Sequence, residues 1–182
     1  GYLMDLILTA LLFQETLKDI FEIRFEVYGF SDAAAIPLKN YSDRILTPKL
    51  AYQVFRGLRD AAHGGTEDVA AMQKAVKRLP KEARYDPSVL KLIFVITDAI
   101  TSKERVRKCL VDLYGKAKNI RILAIGGGSG TQGVEDVYSP DGLYVGNLKD
   151  LPTSFFEFMK KALTRGLKET QRLLTLDNVS FT

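Results

Sequence analysis

Two nearly continuous apolar runs, with a helical pattern between them, constrain the fold of this chain more than any other feature. Residues 92–96 and 120–125 together contain one charged side chain, Arg121. A strand covered by helices on both faces has this composition, whereas a half-exposed strand alternates apolar with polar residues. Residues 102–114 carry apolar side chains at helical spacing, and a strand–helix–strand unit pairs its strands in parallel through a right-handed crossover. We therefore predict adjacent, parallel, interior strands at 91–97 and 120–125.

The rest of the chain continues this alternation of strands and helices. Residues 22–30 alternate as a half-exposed strand does, and Pro37, which lacks a backbone N–H, confines its hairpin partner at 34–38 to a sheet edge. Thr47 and Thr66 are predicted N-caps. The fold class is therefore α/β: a doubly wound, mostly parallel open sheet with helices on both faces, one antiparallel edge strand and a Rossmann-like three-layer architecture. The other predicted elements are helices at 2–18, 48–62, 67–79, 133–138 and 151–174, and a strand at 143–145.

Length and composition indicate one globular domain. The chain has 182 residues, of which 46% are hydrophobic and 26% charged, as in ordinary folded domains. We place the domain at 1–174 and a C-terminal tail at 175–182. The net charge of +4 is spread over several segments, which argues against a nucleic-acid surface. The longest apolar run, 6–13, is too short to span a membrane and follows no basic segment of a signal peptide, so we expect a cytoplasmic protein without a membrane partner.

Residue types give little support to catalysis. Cys109 and His63 are the lone cysteine and histidine, which excludes an internal disulfide and an all-protein zinc cluster, and the helical apolar position of Cys109 favours a buried structural thiol. Residues 128–133 fit G-x-G-x-x-G, but the helix expected after them is short for a dinucleotide site. We therefore predict that the protein is not an enzyme, with a nucleotide-dependent enzyme as a distant alternative.

Polar residues follow the predicted parallel strands at the edge where ligands bind in open α/β sheets. Asp98 follows the strand at 91–97, Thr66 follows two glycines, and residues 126–130 form a glycine-rich loop after the next strand. Asp and Thr offer hard oxygen ligands suited to Mg²⁺. The alternative is structural, because a Thr after glycines is commonly an N-cap and an Asp after a strand commonly forms a turn.

One ordered set of segments extends along nearly the whole chain: 28–32 with Pro37 and Leu38, 64–72, 92–98, 122–126 with Val134 and Tyr138, and 145–152. As a set, these segments resemble the von Willebrand factor A superfamily. Their sequence is most similar to that of intracellular bacterial and archaeal members that accompany chelatase or MoxR-type AAA+ ATPases.

The resemblance implies a metal ion-dependent adhesion site in which Mg²⁺ is bound by Thr66 and Asp98, with Ser31 or Asp32 at its rim. The chain departs from the family in two ways: it contains no Asp-x-Ser-x-Ser loop, and Ala99 stands where the family has glycine.

The family's sheet order, 3-2-1-4-5-6, implies a strand between 22–30 and 91–97 that the chain does not show before its first predicted helix. The domain is therefore expected to be N-terminally incomplete. Because an interior strand with an open edge leaves backbone groups unpaired, we expect this position to be filled by an upstream segment, by a partner's strand, or by the tail at 178–182.

Two functions follow as expectations. The first is a protein-binding or scaffolding module whose Mg²⁺ completes its ligand shell with a carboxylate of the partner. The second is a metal-free structural or assembly module of the same fold, for example a partner of a MoxR-type or chelatase AAA+ ATPase.

Overall fold

The computed structural model describes residues 26–30, 35–40, 42–43, 47–61 and 65–179. Several predictions lie outside these residues: the helix at 2–18, the first part of the strand at 22–30, Ser31, Asp32, His63, and the end of the tail at 180–182.

Five strands and six helices make up the described part of the chain. Two short 3₁₀ turns, Ser129–Thr131 and Leu148–Asp150, precede the last two helices. In chain order the elements are β1 (Val27–Phe30), β2 (Ala35–Lys39), α1 (Pro48–Ala61), α2 (Asp68–Arg78), α3 (Lys81–Tyr85), β3 (Lys91–Thr97), α4 (Lys103–Lys116), β4 (Ile120–Gly127), α5 (Val134–Val137), β5 (Gly142–Val145) and α6 (Leu151–Val179).

The predicted parallel pair is confirmed. β3 and β4 pair in parallel from Lys91 opposite Ile120 to Thr97 opposite Gly126, and β5 adds a third parallel strand on the far side of β4. The predicted hairpin is also confirmed over the described residues, since β1 and β2 pair antiparallel with Tyr28 opposite Pro37. The protein is therefore α/β, with a three-stranded parallel sheet and a two-stranded antiparallel sheet.

The alternation of side chains along β4 divides the core between the two faces of the parallel sheet. Ile122 and Ala124 pack into a cluster that includes Met72 of α2 and Leu113 of α4. Leu123 and Ile125 point the other way, into a cluster formed with the first turns of α6. All four β4 side chains are buried, which explains why this strand has an almost uninterrupted apolar sequence.

Within the described part of the chain the two sheets are separate hydrogen-bonded units, although helix α2 contacts both β1 and β3. Strand β3 is thus an edge of its sheet there rather than the interior strand that was predicted, and its Phe94 is 36% exposed. The expectation that a further strand lies between β1 and β3 stays a prediction.

Three boundaries test the sequence analysis. The Thr47 cap is confirmed, because its Oγ1 accepts the Leu50 N–H at 3.2 Å. The Thr66 cap is wrong: α2 begins at Asp68, whose own Oδ1 accepts the Val69 N–H at 2.9 Å. The helix predicted to end at 174 continues to Val179, so residues 178 and 179 are helical rather than part of an extended tail.

Among the described residues, no helix combines the length and the apolar character needed to cross a lipid bilayer.

Candidate binding site at the carboxyl edge of the parallel sheet

Three segments meet at the carboxyl ends of β3 and β4, as the sequence predicts. The Thr101 hydroxyl, in the loop after β3, donates to the Thr66 carbonyl at 2.9 Å and so joins this loop to the segment before α2. In the loop after β4, a β-carbon on Gly130 would lie 2.9 Å from the backbone oxygen of Asp98. The absence of a side chain at Gly130 therefore lets the two post-strand loops touch, backbone against backbone.

The turn after β3 orients two neighbouring side chains in opposite ways. Thr97 is buried, and its Oγ1 accepts the Ala99 N–H at 3.2 Å while donating to the Ala99 carbonyl. Asp98 is exposed, and its carboxylate has no hydrogen bond or ion pair to the described residues. The turn is thus held by Thr97 and presents Asp98 to solvent.

The glycine-rich loop after β4 is held by contacts with itself and with the neighbouring loop. Gly128 has φ +89°, a left-handed conformation that favours glycine. Thr131 is fully buried and bonds back to the Gly128 carbonyl through both its hydroxyl, at 3.0 Å, and its N–H, at 3.2 Å. The close approach at Gly130 is occupied by the protein's own Asp98 carbonyl, and α5 is four residues long. These contacts disfavour the dinucleotide interpretation, which needs a longer helix to face a pyrophosphate.

The segment before α2 is tied down by two acidic side chains. Glu67 forms a bidentate ion pair with Arg105 of α4, both distances being 3.1 Å. Asp68 is fully buried, and its Oδ2 accepts the Tyr138 hydroxyl at 2.6 Å. Burial, together with the neighbouring Asp68 charge, raises the pKa of Tyr138 well above its ordinary value. This shift favours the protonated phenol, which donates the hydrogen bond to Asp68.

The pairing of Asp68 with Tyr138 was not anticipated from the sequence. The one local signal is the position of Asp68 in the first turn of a helix, where the dipole favours an acidic side chain. Nothing local indicates that its partner is a tyrosine 70 positions away.

Thr66 and Asp98, the predicted site residues, lie on two segments that the structure brings together. Thr66 is half-buried, and its hydroxyl, like the Asp98 carboxylate, makes no hydrogen bond to the described residues. Five polar side chains near them have internal partners: Glu67, Asp68, Thr97, Thr101 and Thr131. The edge therefore leaves both predicted residues available for an external group.

Their oxygens are of the kind that Mg²⁺ prefers. Mg²⁺ takes six oxygens, commonly one or two carboxylates together with waters or ligand oxygens. Asp98 supplies one carboxylate, while Glu67 and Asp68 are committed to Arg105 and Tyr138. Across the described residues no group of three or more His, Cys, Asp or Glu side chains is placed to hold a metal. Among the described residues, the Asp98 carboxylate and the Thr66 hydroxyl are the predicted oxygens that this edge could contribute to a Mg²⁺ shell, and Mg²⁺ binding stays a prediction.

Cys109 has the properties of a structural thiol. It is buried on α4, its Sγ lies 3.9 Å from the Val69 carbonyl, and burial raises the pKa of the thiol. A thiol of this kind gives little thiolate at neutral pH, which disfavours a nucleophilic role.

Comparison with known proteins adds no identification. No family model matches the sequence, and none of the curated proteins matches it.

Proposed function

We propose that this chain is a protein-binding module that receives its partner at the carboxyl edge of the β3–β5 sheet, through Asp98 and Thr66. The observation that carries the proposal is the contrast at this edge: these two polar groups are free among the described residues, while five polar side chains around them are internally bonded. A rigid backbone that presents unpaired polar groups is preorganised for binding, because little order is lost when a partner docks.

The proposal includes the larger architecture suggested by the resemblance, a doubly wound, von Willebrand factor A-like sandwich. The parallel order β3-β4-β5 supports it, because parallel strands bring their following loops to one edge. Binding is favoured over catalysis because the two candidate catalytic features have structural contacts: the Cys109 thiol is buried, and Gly130 of the glycine-rich loop lies against the Asp98 carbonyl.

Two forms of this function are distinguished by whether Mg²⁺ takes part. In the first, the Asp98 carboxylate and the Thr66 hydroxyl contact the partner directly, as in a metal-free assembly module working beside an AAA+ ATPase. In the second, a carboxylate of the partner adds to these hard oxygens and Mg²⁺ binds between the two proteins. The first form fits the described residues better, since among them no group of three or more His, Cys, Asp or Glu side chains is placed to hold a metal.

The test compares the proteins retained from an extract of the source organism by immobilised wild type, Asp98→Ala and Asp112→Ala. Asp112 is the matched control, because its exposed carboxylate pairs with Lys116 on the surface of α4 and such pairs contribute little to stability. We expect a defined set of proteins to be lost with Asp98→Ala and kept with Asp112→Ala.

Equal retention by all three proteins would contradict the proposal. Repeating the experiment with Mg²⁺ or with EDTA separates the two forms, since retention that requires Mg²⁺ supports the second. For the chain alone we expect weak or no Mg²⁺ binding, measured as no rise in melting temperature.

A further inference from the structure

Three consecutive residues before and at the start of α2 are each tethered to a different part of the molecule. The Thr66 carbonyl accepts the Thr101 hydroxyl, the Glu67 carboxylate pairs with Arg105, and the Asp68 carboxylate accepts the Tyr138 hydroxyl. The last two residues before α2 and its first residue are thus each held by a separate contact.

The three tethers differ in their surroundings. Arg105 is exposed, so water screens its pair with Glu67, and Thr101 is half-buried. Asp68 and Tyr138, by contrast, are 0% and 2% exposed. A hydrogen bond to a carboxylate away from water is stronger than an exposed one, and losing it leaves the buried Asp68 Oδ2 without its donor.

Tyr138 is a rigid anchor. Its N–H donates to the Val134 carbonyl at 3.0 Å, its own carbonyl accepts the Asp141 N–H at 2.8 Å, and its ring belongs to the core cluster formed with α2 and α4. The hydroxyl that meets Asp68 therefore has a position determined by the core and not by the loop.

We propose that Asp68 is a positioning residue: its buried bond to Tyr138 fixes residues 65–67 and thereby holds Thr66 at the edge that presents Asp98. The use of that edge rests on the proposed function, whereas the positioning itself does not. Asp68 touches no external group in this role, and its effect reaches Thr66 through two peptide units.

The experiment measures ¹⁵N relaxation order parameters in the whole chain for wild type and Tyr138→Phe. We expect residues 65–67 to fall from about 0.85, the value of rigid backbone, to below about 0.6 in the variant. Amides of β4 should keep their order parameters. Tyr144→Phe is the matched control, because the Tyr144 hydroxyl has no hydrogen bond to the described residues, and it should leave residues 65–67 unchanged.

Unchanged order parameters at 65–67 in Tyr138→Phe would overturn the proposal, as would a uniform change that also includes β4. If Tyr138→Phe does not fold, Asp68→Ala is measured instead. Alanine removes the oxygen that accepts the Tyr138 hydroxyl, so a fall at 65–67 is expected, and no fall would overturn the proposal. This measurement does not depend on partner binding. A negative result here would therefore contradict the positioning role of Asp68 without contradicting the proposed binding function.

Discussion

The two ends of the parallel sheet use polar side chains in opposite ways. At the amino end, Lys91 is 4% exposed, and its ammonium donates to the carbonyls of Asp86 and, at 2.6 Å, of Lys118. The Asn119 side-chain amide donates to the Pro87 carbonyl at 3.0 Å and to the Thr170 hydroxyl at 2.7 Å. These long polar side chains tie loops to strands and to α6.

At the carboxyl end Thr97, Thr131 and Asp68 also make internal bonds. The Asp98 carboxylate and the Thr66 hydroxyl, however, have no partner among the described residues. We therefore expect substitutions at the two ends to have different effects. Substitution of a polar residue at the amino end should lower stability, whereas substitution of a free polar residue at the carboxyl end should affect binding alone.

The largest effect is expected for Lys91→Met, which keeps most of the apolar stem and removes the ammonium. Loss of the donor to two carbonyls should lower the free energy of unfolding by about 1–3 kcal/mol at neutral pH, measured by urea denaturation. A loss below about 0.5 kcal/mol would break the comparison, because the amino end would then not depend on its polar ties.

The same pair of proteins gives a pH test. Burial lowers the pKa of Lys91 from its ordinary 10.5, with Asp86 opposing this in part. Between the lowered pKa and 10.5 the unfolded chain binds a proton that the folded chain has released, so the stability of the wild type increases with pH. As pH rises through this window, we expect the free energy of unfolding of the wild type to increase relative to that of Lys91→Met. A difference between the two proteins that does not change with pH would contradict this.

An intermediate effect is expected for Thr97→Val at the carboxyl end. Valine keeps the shape but loses the hydroxyl that bonds both the N–H and the carbonyl of Ala99, at a cost of about 1 kcal/mol. The neighbouring Asp98 should then become more mobile, which line widths or relaxation of its amide can show. Unchanged stability together with an unchanged Asp98 amide would mean that Thr97 does not hold the turn.

A smaller effect on stability is expected for Asp98→Asn, within about 0.5 kcal/mol of the wild type, as for surface substitutions away from special features. Thermal unfolding of the two proteins side by side measures it. A clearly destabilised variant would show that Asp98 has a structural partner, and the proposed role of this residue in binding would lose its basis.

No effect at all is expected when NAD or ATP is added to the wild type at about millimolar concentration, because α5 has too few N–H groups at its start to bind a pyrophosphate. Calorimetry is the measurement. A clear binding isotherm that disappears in Gly130→Val would favour the nucleotide-dependent enzyme instead.

The local pattern of the sequence was sufficient to predict the parallel pairing of β3 with β4 and the meeting of the loops after them at one edge. Uninterrupted apolar runs indicate strands covered on both faces, and parallel strands bring Asp98 and the glycine-rich loop to one edge. The N-cap at Thr47 could also be predicted from the sequence, because its hydrogen bond joins two residues only three positions apart.

The tertiary structure decided what depends on partners distant in sequence. Periodicity does not show that Asp68 meets Tyr138, that Lys91 bonds to the carbonyl of Lys118, or that Gly130 touches Asp98. The predicted N-cap at Thr66 was also wrong, because α2 begins at Asp68 and the Asp68 carboxylate, and not the Thr66 hydroxyl, accepts the Val69 N–H. Local patterns report which face of an element is buried, whereas the free energy of a buried polar group depends on the atom it meets there.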